Sequence, residues 1–111
     1  MIRNLSRNST LTRNEIRAES FFLRMRGLIG RRFEGFDGML FPKCSAIHTC
    51  FMSMKIDVLF LSEDWKVLKA CPEIPCWKMC VSSKNAYAVL ELPAGTIMQT
   101  GTVPGDHLAG E

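Results

Sequence analysis

The hydrophobic and polar positions of this chain alternate mainly with the short period of β-strands. Residues 56–61 form a nearly continuous apolar run, which is typical of a strand buried on both faces. Residues 86–92 alternate instead, so that Ala88, Leu90 and Leu92 share one face while Val89 and Glu91 share the other. Both segments predict strands of a sheet that contributes to the core.

Further short strands are predicted at residues 2–5, 11–16, 38–41, 46–51 and 65–70. Turn-forming residues separate them and recur at 93–95, 100–102 and 104–106. Pro72 and Pro75 indicate an edge strand or an irregular stretch, because proline cannot donate to a sheet ladder. The pattern therefore predicts a mainly β protein, an antiparallel sandwich or barrel of about eight short strands.

One segment has the longer period of an α-helix. Ser20 can cap it and Gly30 can end it. Its apolar positions at helical spacing are Phe21, Met25, Leu28 and Ile29. We expect this helix to cover one open end or face of the β-structure.

The length of 111 residues favours a single domain over residues 1–111. The hydrophobic fraction of 47% and the charged fraction of 23% are typical of a globular protein. No apolar run approaches the roughly 18 residues that a membrane-spanning helix needs. The polar N-terminus lacks the core of a secretory signal, and the five cysteines cannot all pair with one another. We therefore expect a cytoplasmic protein without membrane contact.

The net charge of +3 is spread unevenly, because all eight arginines lie between Arg3 and Arg32. This cluster indicates either an anion-facing surface or, as surface charges more often do, a solvated helix face. The arginine-rich third lacks the interleaved aromatic residues that single-strand nucleic-acid binders use. The composition thus disfavours nucleic acid as a partner.

An ordered set of motifs runs along nearly the whole chain. In chain order the motifs are RGLIGR at 26–31, GMLF at 38–41, HTCFM at 48–52, IDVLFL at 56–61, AVLELPAG at 88–95 and GD at 105–106. This set resembles the uncharacterised family called domain of unknown function 192. The resemblance implies a β-sandwich of jelly-roll type and no established activity.

His48 and Asp57 are the leading candidates for chemistry. Asp57 opens the most apolar strand, where a carboxylate is costly to bury unless it is paired or hydrogen-bonded. The functional interpretation is a His–Asp pair at the mouth of the sandwich that shuttles a proton or clamps a ligand. The structural alternative is that Asp57 caps backbone amides while His48 bonds a carbonyl, and it is the more common arrangement.

Glu91 interrupts an apolar strand and is a second candidate. If its face is concave, Glu91 is a site carboxylate. If its face points outward, Glu91 is solvated or pairs with an arginine of the helix, which the arginine surplus favours.

The pattern predicts neither a metal nor a cofactor. Cys76 and Cys80 are spaced more widely than zinc ligands usually are, and they lack a matching second pair. His48 and His107 lie far apart in sequence. Cys50 shares a strand face with His48, but a cysteine in a buried strand is usually a small apolar residue.

The leading hypothesis is a small-ligand-binding module. Its site residues are expected to be His48, Met52, Asp57 and Glu91, with Arg24 and Arg31 favouring a polar or anionic ligand. One alternative is a small acid–base enzyme, a hydrolase or isomerase, that uses His48 and Asp57. The other alternative is an interaction protein that forms a homodimer through an apolar edge or helix.

Overall fold

The computed structural model describes residues 1–18, 33–47, 54–76 and 81–110, which form ten strands and one short helix. In chain order the elements are β1 (Ile2–Asn4), β2 (Ser9–Thr12), β3 (Glu15–Arg17), β4 (Gly38–Pro42), β5 (Ala46–Ile47), β6 (Ile56–Leu61), β7 (Val67–Ile74), β8 (Val81–Ser82), β9 (Ala88–Pro93), α1 (Thr96–Thr100) and β10 (Leu108–Gly110). The mainly β prediction is confirmed.

The strands form three sheets. The largest has the order β3-β4-β9-β6-β7, and a second has the order β10-β1-β2. A two-stranded ribbon joins β5 and β8. These pairings do not close into a barrel within the described residues, so the barrel alternative is wrong for them.

The central strands β4, β6 and β9 of the five-stranded sheet are buried on both faces, and this explains the apolar run of β6. All six residues of β6 are buried, as are five of the six in β9. On β9, Ala88, Leu90 and Leu92 face one core and Val89 faces the other, as the alternation predicts. The two faces therefore pack two separate groups of side chains.

One group, the helix-side core, lies between the five-stranded sheet, the three-stranded sheet and α1. Its buried members are Ile2, Leu11, Leu40, Leu59, Leu61, Val67, Ala88, Leu90, Leu92, Ile97 and Leu108. Burying one large aliphatic side chain contributes about 1.5–3 kcal/mol. This core therefore supplies much of the stability.

The other group, the phenylalanine-side core, lies on the opposite face of the five-stranded sheet. Its buried members are Ala18, Phe36, Met39, Phe41, Ile56, Val58, Phe60, Ile74 and Val89. Half-buried side chains at its rim are Ile16, Phe33, Cys44, Ile47, Met54, Cys71 and Ala86. The rim of the helix-side core has fewer such residues among those described, namely Trp65, Ala70 and Tyr87.

The predicted strand at 11–16 is in fact two strands, and the second of them pairs in parallel with β4. The chain bends at Arg13 and Asn14, whose backbone N–H groups each donate to the Asp37 carboxylate at 2.8 Å. These two hydrogen bonds hold the bend that directs β3 away from the β1–β2 hairpin. The antiparallel prediction is therefore wrong for this one pairing.

Two elements near the C-terminus were not predicted. The helix α1 has five residues, too few for a helical period, and Gly95 and Gly101 flank it in the left-handed region. The strand β10 contains a small residue and a glycine, which give no strand pattern in the sequence. It is extended because it pairs with β1. The predicted helix at 20–30 and the predicted strand end at 48–51 lie outside the described residues.

The expectation for Pro72 is confirmed, because it lies in β7 at the edge of the five-stranded sheet. The pairing of β7 with β6 shifts register near Ile56 and again near Leu61. Such irregularities blunt an edge that could otherwise pair with another chain.

Gly38 lies where β4 meets the β2–β3 bend, and we expect Gly38→Ala to lower the free energy of unfolding by about 2–3 kcal/mol. A methyl group there would stand 2.6 Å from Cγ2 of Thr12. Thr12 cannot move aside easily, because its hydroxyl accepts from the Ile2 N–H and donates to Glu15. Urea unfolding checks the loss.

The double variant with Thr12→Ser, which removes Cγ2 and keeps the hydroxyl, serves as the control for Gly38→Ala. It should recover part of the lost stability, since the clash is specific to that methyl group. A Gly38→Ala effect below about 0.5 kcal/mol, the range of ordinary surface substitutions, would contradict the steric account.

Candidate functional site

Glu91 lies at the centre of the five-stranded sheet, on β9, with its side chain in the phenylalanine-side core. Its register partners are Met39 on β4 and Val58 on β6. Met39 pairs in turn with Ile16, and Val58 with Cys71, so one row of side chains crosses all five strands. Glu91 is the only acid in that row, and it is 4% exposed.

Among the described residues, the Glu91 carboxyl group has no partner for its charge. Its Oε2 atom is buried without a hydrogen bond, and none of the described lysines or arginines forms an ion pair with it. Burial raises the pKa of Glu91 to about 8. The carboxyl group is therefore mostly neutral at pH 7, and the solvated alternative for Glu91 is wrong.

The strand register makes two phenylalanines diagonal neighbours of Glu91 on the same face of the sheet. Phe41 lies two residues beyond Met39, and Phe60 lies two residues beyond Val58. Such diagonal neighbours lie about 7–8 Å apart, with somewhat shorter Cβ–Cβ distances, which is within reach of an aromatic side chain. The acid thus stands among apolar and aromatic groups that offer no ordinary hydrogen bond.

Among the described residues, several polar groups lie at the rim of this core. The ammonium group of Lys69 lies 5.9 Å from the centre of the Phe60 ring and donates to the Ser82 carbonyl. Burial raises the pKa of the Cys71 thiol, although the charge of Lys69 opposes this effect. The Cys44 thiol donates to the Ala46 carbonyl. These groups lie near a boundary where solvent reaches the core.

Asp57 occupies the opposite face of the same sheet, where it holds three backbone segments. Its Oδ1 accepts from the Glu73 N–H at 2.8 Å, and its Oδ2 accepts from the N–H groups of Gly95 at 3.1 Å and Ile97 at 2.8 Å. The side chain is completely buried. These contacts are those of the structural alternative, in which Asp57 caps backbone amides.

Asp57 and Glu91 do not line one hollow, and the expected grouping of these two acids is wrong. Val58 is the residue directly opposite Glu91, and Asp57 precedes Val58 on β6. Successive side chains of a strand point to opposite faces, so Asp57 faces α1 while Glu91 faces the phenylalanine-side core. The strand register therefore separates the two carboxyl groups.

The other predicted site residues, Arg24, Arg31, His48 and Met52, lie outside the described residues. The His48–Asp57 pair and a helix arginine near Glu91 stay predictions. Within the described part of the chain, no group of three His, Cys, Asp or Glu side chains could hold a metal ion. None of the helices described is long and apolar enough to cross a membrane.

A buried polar network that the sequence did not reveal joins β1 to the loop after α1. Asn4 donates to Thr102 and Asp106, and Asp106 also accepts from the Val103 N–H and pairs with Arg7 at 2.9 Å. Although burial opposes it, these bonds and the Arg7 charge hold the pKa of Asp106 below its usual value. Its groups satisfy one another, so the network is structural. The turn residues at 104–106 were its only sequence signal.

Two solved structures are similar to this chain. One is a protein of unknown function from Novosphingobium aromaticivorans, with a TM-score of 0.74 and 23% identity over 86% of this chain and 74% of that chain. The other, from Sinorhizobium meliloti, is described as a "putative transcription regulator" and has a TM-score of 0.76 and 27% identity over 86% of this chain and 80% of that chain.

No significant match was found among curated proteins. The model of the DUF192 family, described as "Uncharacterized ACR", matches residues 4–110. This match spans nearly the whole chain, as the ordered motifs predict. The chain therefore belongs to the DUF192 family, for which no function is established.

Proposed function

We propose that this chain is a small-ligand-binding module whose site is centred on Glu91. The observation that carries the proposal is the buried Oε2 atom of Glu91, which lacks a partner among the described residues. A buried polar group without a partner costs about 1–3 kcal/mol. Native proteins hold few such groups, and perturbed acids concentrate at functional sites. A ligand that bonds Glu91 would offset this cost.

The half-buried rim of the phenylalanine-side core favours access to Glu91 from that side of the sheet. The row that contains Glu91 ends at the half-buried Cys71 on the edge strand, about two strand spacings or ~10 Å away. Other half-buried side chains follow the same rim. A ligand that displaced rim side chains would meet Glu91 without disturbing the helix-side core.

The proposal includes a jelly-roll architecture, a single domain and a cytoplasmic location. A jelly-roll sandwich formed as one domain over residues 1–111 would place Glu91 between packed layers, where small ligands commonly bind. Cys44, Cys71 and Cys76 are free thiols, which fits a reducing compartment such as the cytoplasm.

Acid–base catalysis is a second candidate, and the raised pKa of Glu91 favours it. A carboxyl group with a pKa of about 8 is neutral at pH 7 and can donate a proton to a bound molecule. The version that uses His48 and Asp57 has weaker support, because both oxygens of Asp57 accept backbone N–H groups. A bound probe that is chemically altered over time would favour catalysis over simple binding.

The Sinorhizobium protein is described as a "putative transcription regulator". A role in transcription has weaker support in this chain. Arg3 and Arg7 bond acceptors within the fold, and Arg17 lies over the ring of Trp65. These contacts leave fewer free cations for phosphate groups. The homodimer hypothesis stays a prediction, and a sedimentation coefficient independent of concentration would remove it.

The binding proposal is tested by protein-observed NMR of the ¹⁵N-labelled chain with a library of small polar fragments. We expect some fragments to bind the wild-type protein with millimolar affinity and to shift the backbone amide signals of Met39, Val58 and Cys71. The affinity for these fragments should fall at least tenfold in Glu91→Gln, because glutamine keeps the shape of the side chain and lacks the acidic group.

Glu63→Gln is the matched control, since Glu63 is an exposed acid in the β6–β7 turn. It should bind the same fragments as the wild type. A library without any hit, or hits that bind the two variants equally well, would contradict a site at Glu91.

A further inference from the structure

The charge of the ligand can be inferred from what surrounds Glu91, and this step rests on the proposed function. The two side chains opposite Glu91 are those of Met39 and Val58, which bring neither a charge nor a strong hydrogen-bond donor. The described part of the chain supplies no cation to the carboxyl group either. A ligand that satisfies the carboxyl group must therefore supply the positive charge or the hydrogen-bond donors itself.

A cation satisfies Glu91 better than a neutral molecule or an anion does. An ionised carboxylate accepts two or more hydrogen bonds, and bonds between charged partners are about twice as strong as neutral ones. An anion would instead meet either a like charge or a neutral acid that offers a single O–H donor. In a site shielded from water this difference in interaction energy is large.

The aromatic side chains favour the same ligand. Phe41 and Phe60 are the diagonal neighbours of Glu91, and the faces of aromatic rings attract cations within about 6 Å. Lys69 already holds its ammonium group 5.9 Å from the centre of the Phe60 ring. This core therefore accommodates one cation against a ring at its rim.

We propose that the ligand of the Glu91 site is a small organic cation with N–H donors, an ammonium or guanidinium group, held by the Glu91 carboxylate against the phenylalanine rings of the same core. Its apolar part lies among the side chains of that core. The neutral acid must lose its proton for the ion pair to form, and this proton passes to the solvent.

The proposal makes binding dependent on pH. With a pKa of about 8 the ionised fraction of Glu91 falls from one half at pH 8 to about one hundredth at pH 6, so the apparent Kd should rise about 50-fold. The other titratable groups that face this core in the described residues are Lys69, Cys71 and Cys44. Glu91→Gln retains all three, so comparison with it isolates the acid.

The test compares n-butylammonium, 1-butanol and butyrate, three probes of similar size and different charge, at pH 6 and pH 8. We expect n-butylammonium to bind at least tenfold more tightly than either of the others at pH 8. Calorimetry at pH 7 in buffers of different ionisation enthalpy should show release of about one proton. Glu91→Gln should abolish both the charge preference and the proton release, whereas Glu63→Gln should keep them.

Equal binding of 1-butanol and n-butylammonium, or tighter binding of butyrate, would overturn the cation assignment. If Glu91→Gln abolishes that binding, the site at Glu91 is still supported and only the charge assigned to its ligand is wrong. Binding of no probe, together with an empty fragment screen, would remove the site itself. The two proposals therefore fail in distinguishable ways.

Discussion

Replacing Asp57 by alanine is expected to lower the free energy of unfolding by about 4 kcal/mol, since three buried backbone N–H groups then lose a charged acceptor. The three donors belong to Glu73 on β7, to Gly95 in the turn after β9 and to Ile97 in α1. The substitution therefore loosens the edge strand and the helix at the same time. Urea unfolding at 15 °C measures the loss.

Hydrogen exchange locates the effect of Asp57→Ala. The amides of Glu73, Gly95 and Ile97 should exchange faster than in the wild type, while those of the β1–β2 hairpin should change much less. If Asp57→Ala does not fold well enough to be measured, Asp57→Asn keeps one accepting oxygen and should show a smaller change at the same amides.

Asp64→Ala is the matched control for Asp57→Ala. Asp64 is an exposed acid whose carboxylate bonds the hydroxyl of its neighbour Ser62, and its loss should cost less than about 1 kcal/mol. An Asp57→Ala effect as small as that of Asp64→Ala would contradict the capping role. Unchanged exchange at the three amides would contradict it as well.

The stability of the wild-type protein should fall by about 3 kcal/mol between pH 5 and pH 8 because of Glu91 alone. Burial raises the pKa of Glu91 to about 8 in the folded state, whereas the ordinary value is 4.5. Between these values the folded chain holds a proton that the unfolded chain releases. Stability is therefore fully present below pH 4.5 and is lost as the pH rises through 8.

Glu91→Gln should remove this slope, because glutamine does not titrate. The variant and the wild type should have similar stability at pH 5, and the variant should be more stable by about 3 kcal/mol at pH 8. Chemical denaturation at half-unit pH steps measures both curves. All other titratable groups are common to the two proteins, so the difference between the curves isolates Glu91.

Glu63→Gln should follow the wild-type curve throughout this range. Parallel curves for the wild type and Glu91→Gln would contradict a buried neutral acid. A direct check is the ¹³C chemical shift of the Glu91 carboxyl carbon, which should titrate near pH 8 and not near pH 4.5.

The sequence by itself determined the β class and the two most important strands. Five of the six consecutive positions at 56–61 are apolar, and apolar residues fall on both sides of the strand, so this run had to be covered on both faces. The alternation at 88–92 likewise assigns Val89 and Glu91 to one face of their strand. Local chemistry also placed Pro72 at an edge. These features depend on residues close together along the chain.

Only the tertiary structure decided the roles of the two acids. The donors to Asp57 come from β7, from the turn after β9 and from α1, and no sequence spacing connects them. Glu91 lacks a partner among the described residues, where β4 and β6 place Met39 and Val58 beside it. That register follows from pairing across long sequence separations. Side-chain periodicity tells which residues share a face of one strand. The identity of the neighbours depends on register and packing, which arise only when distant strands pair.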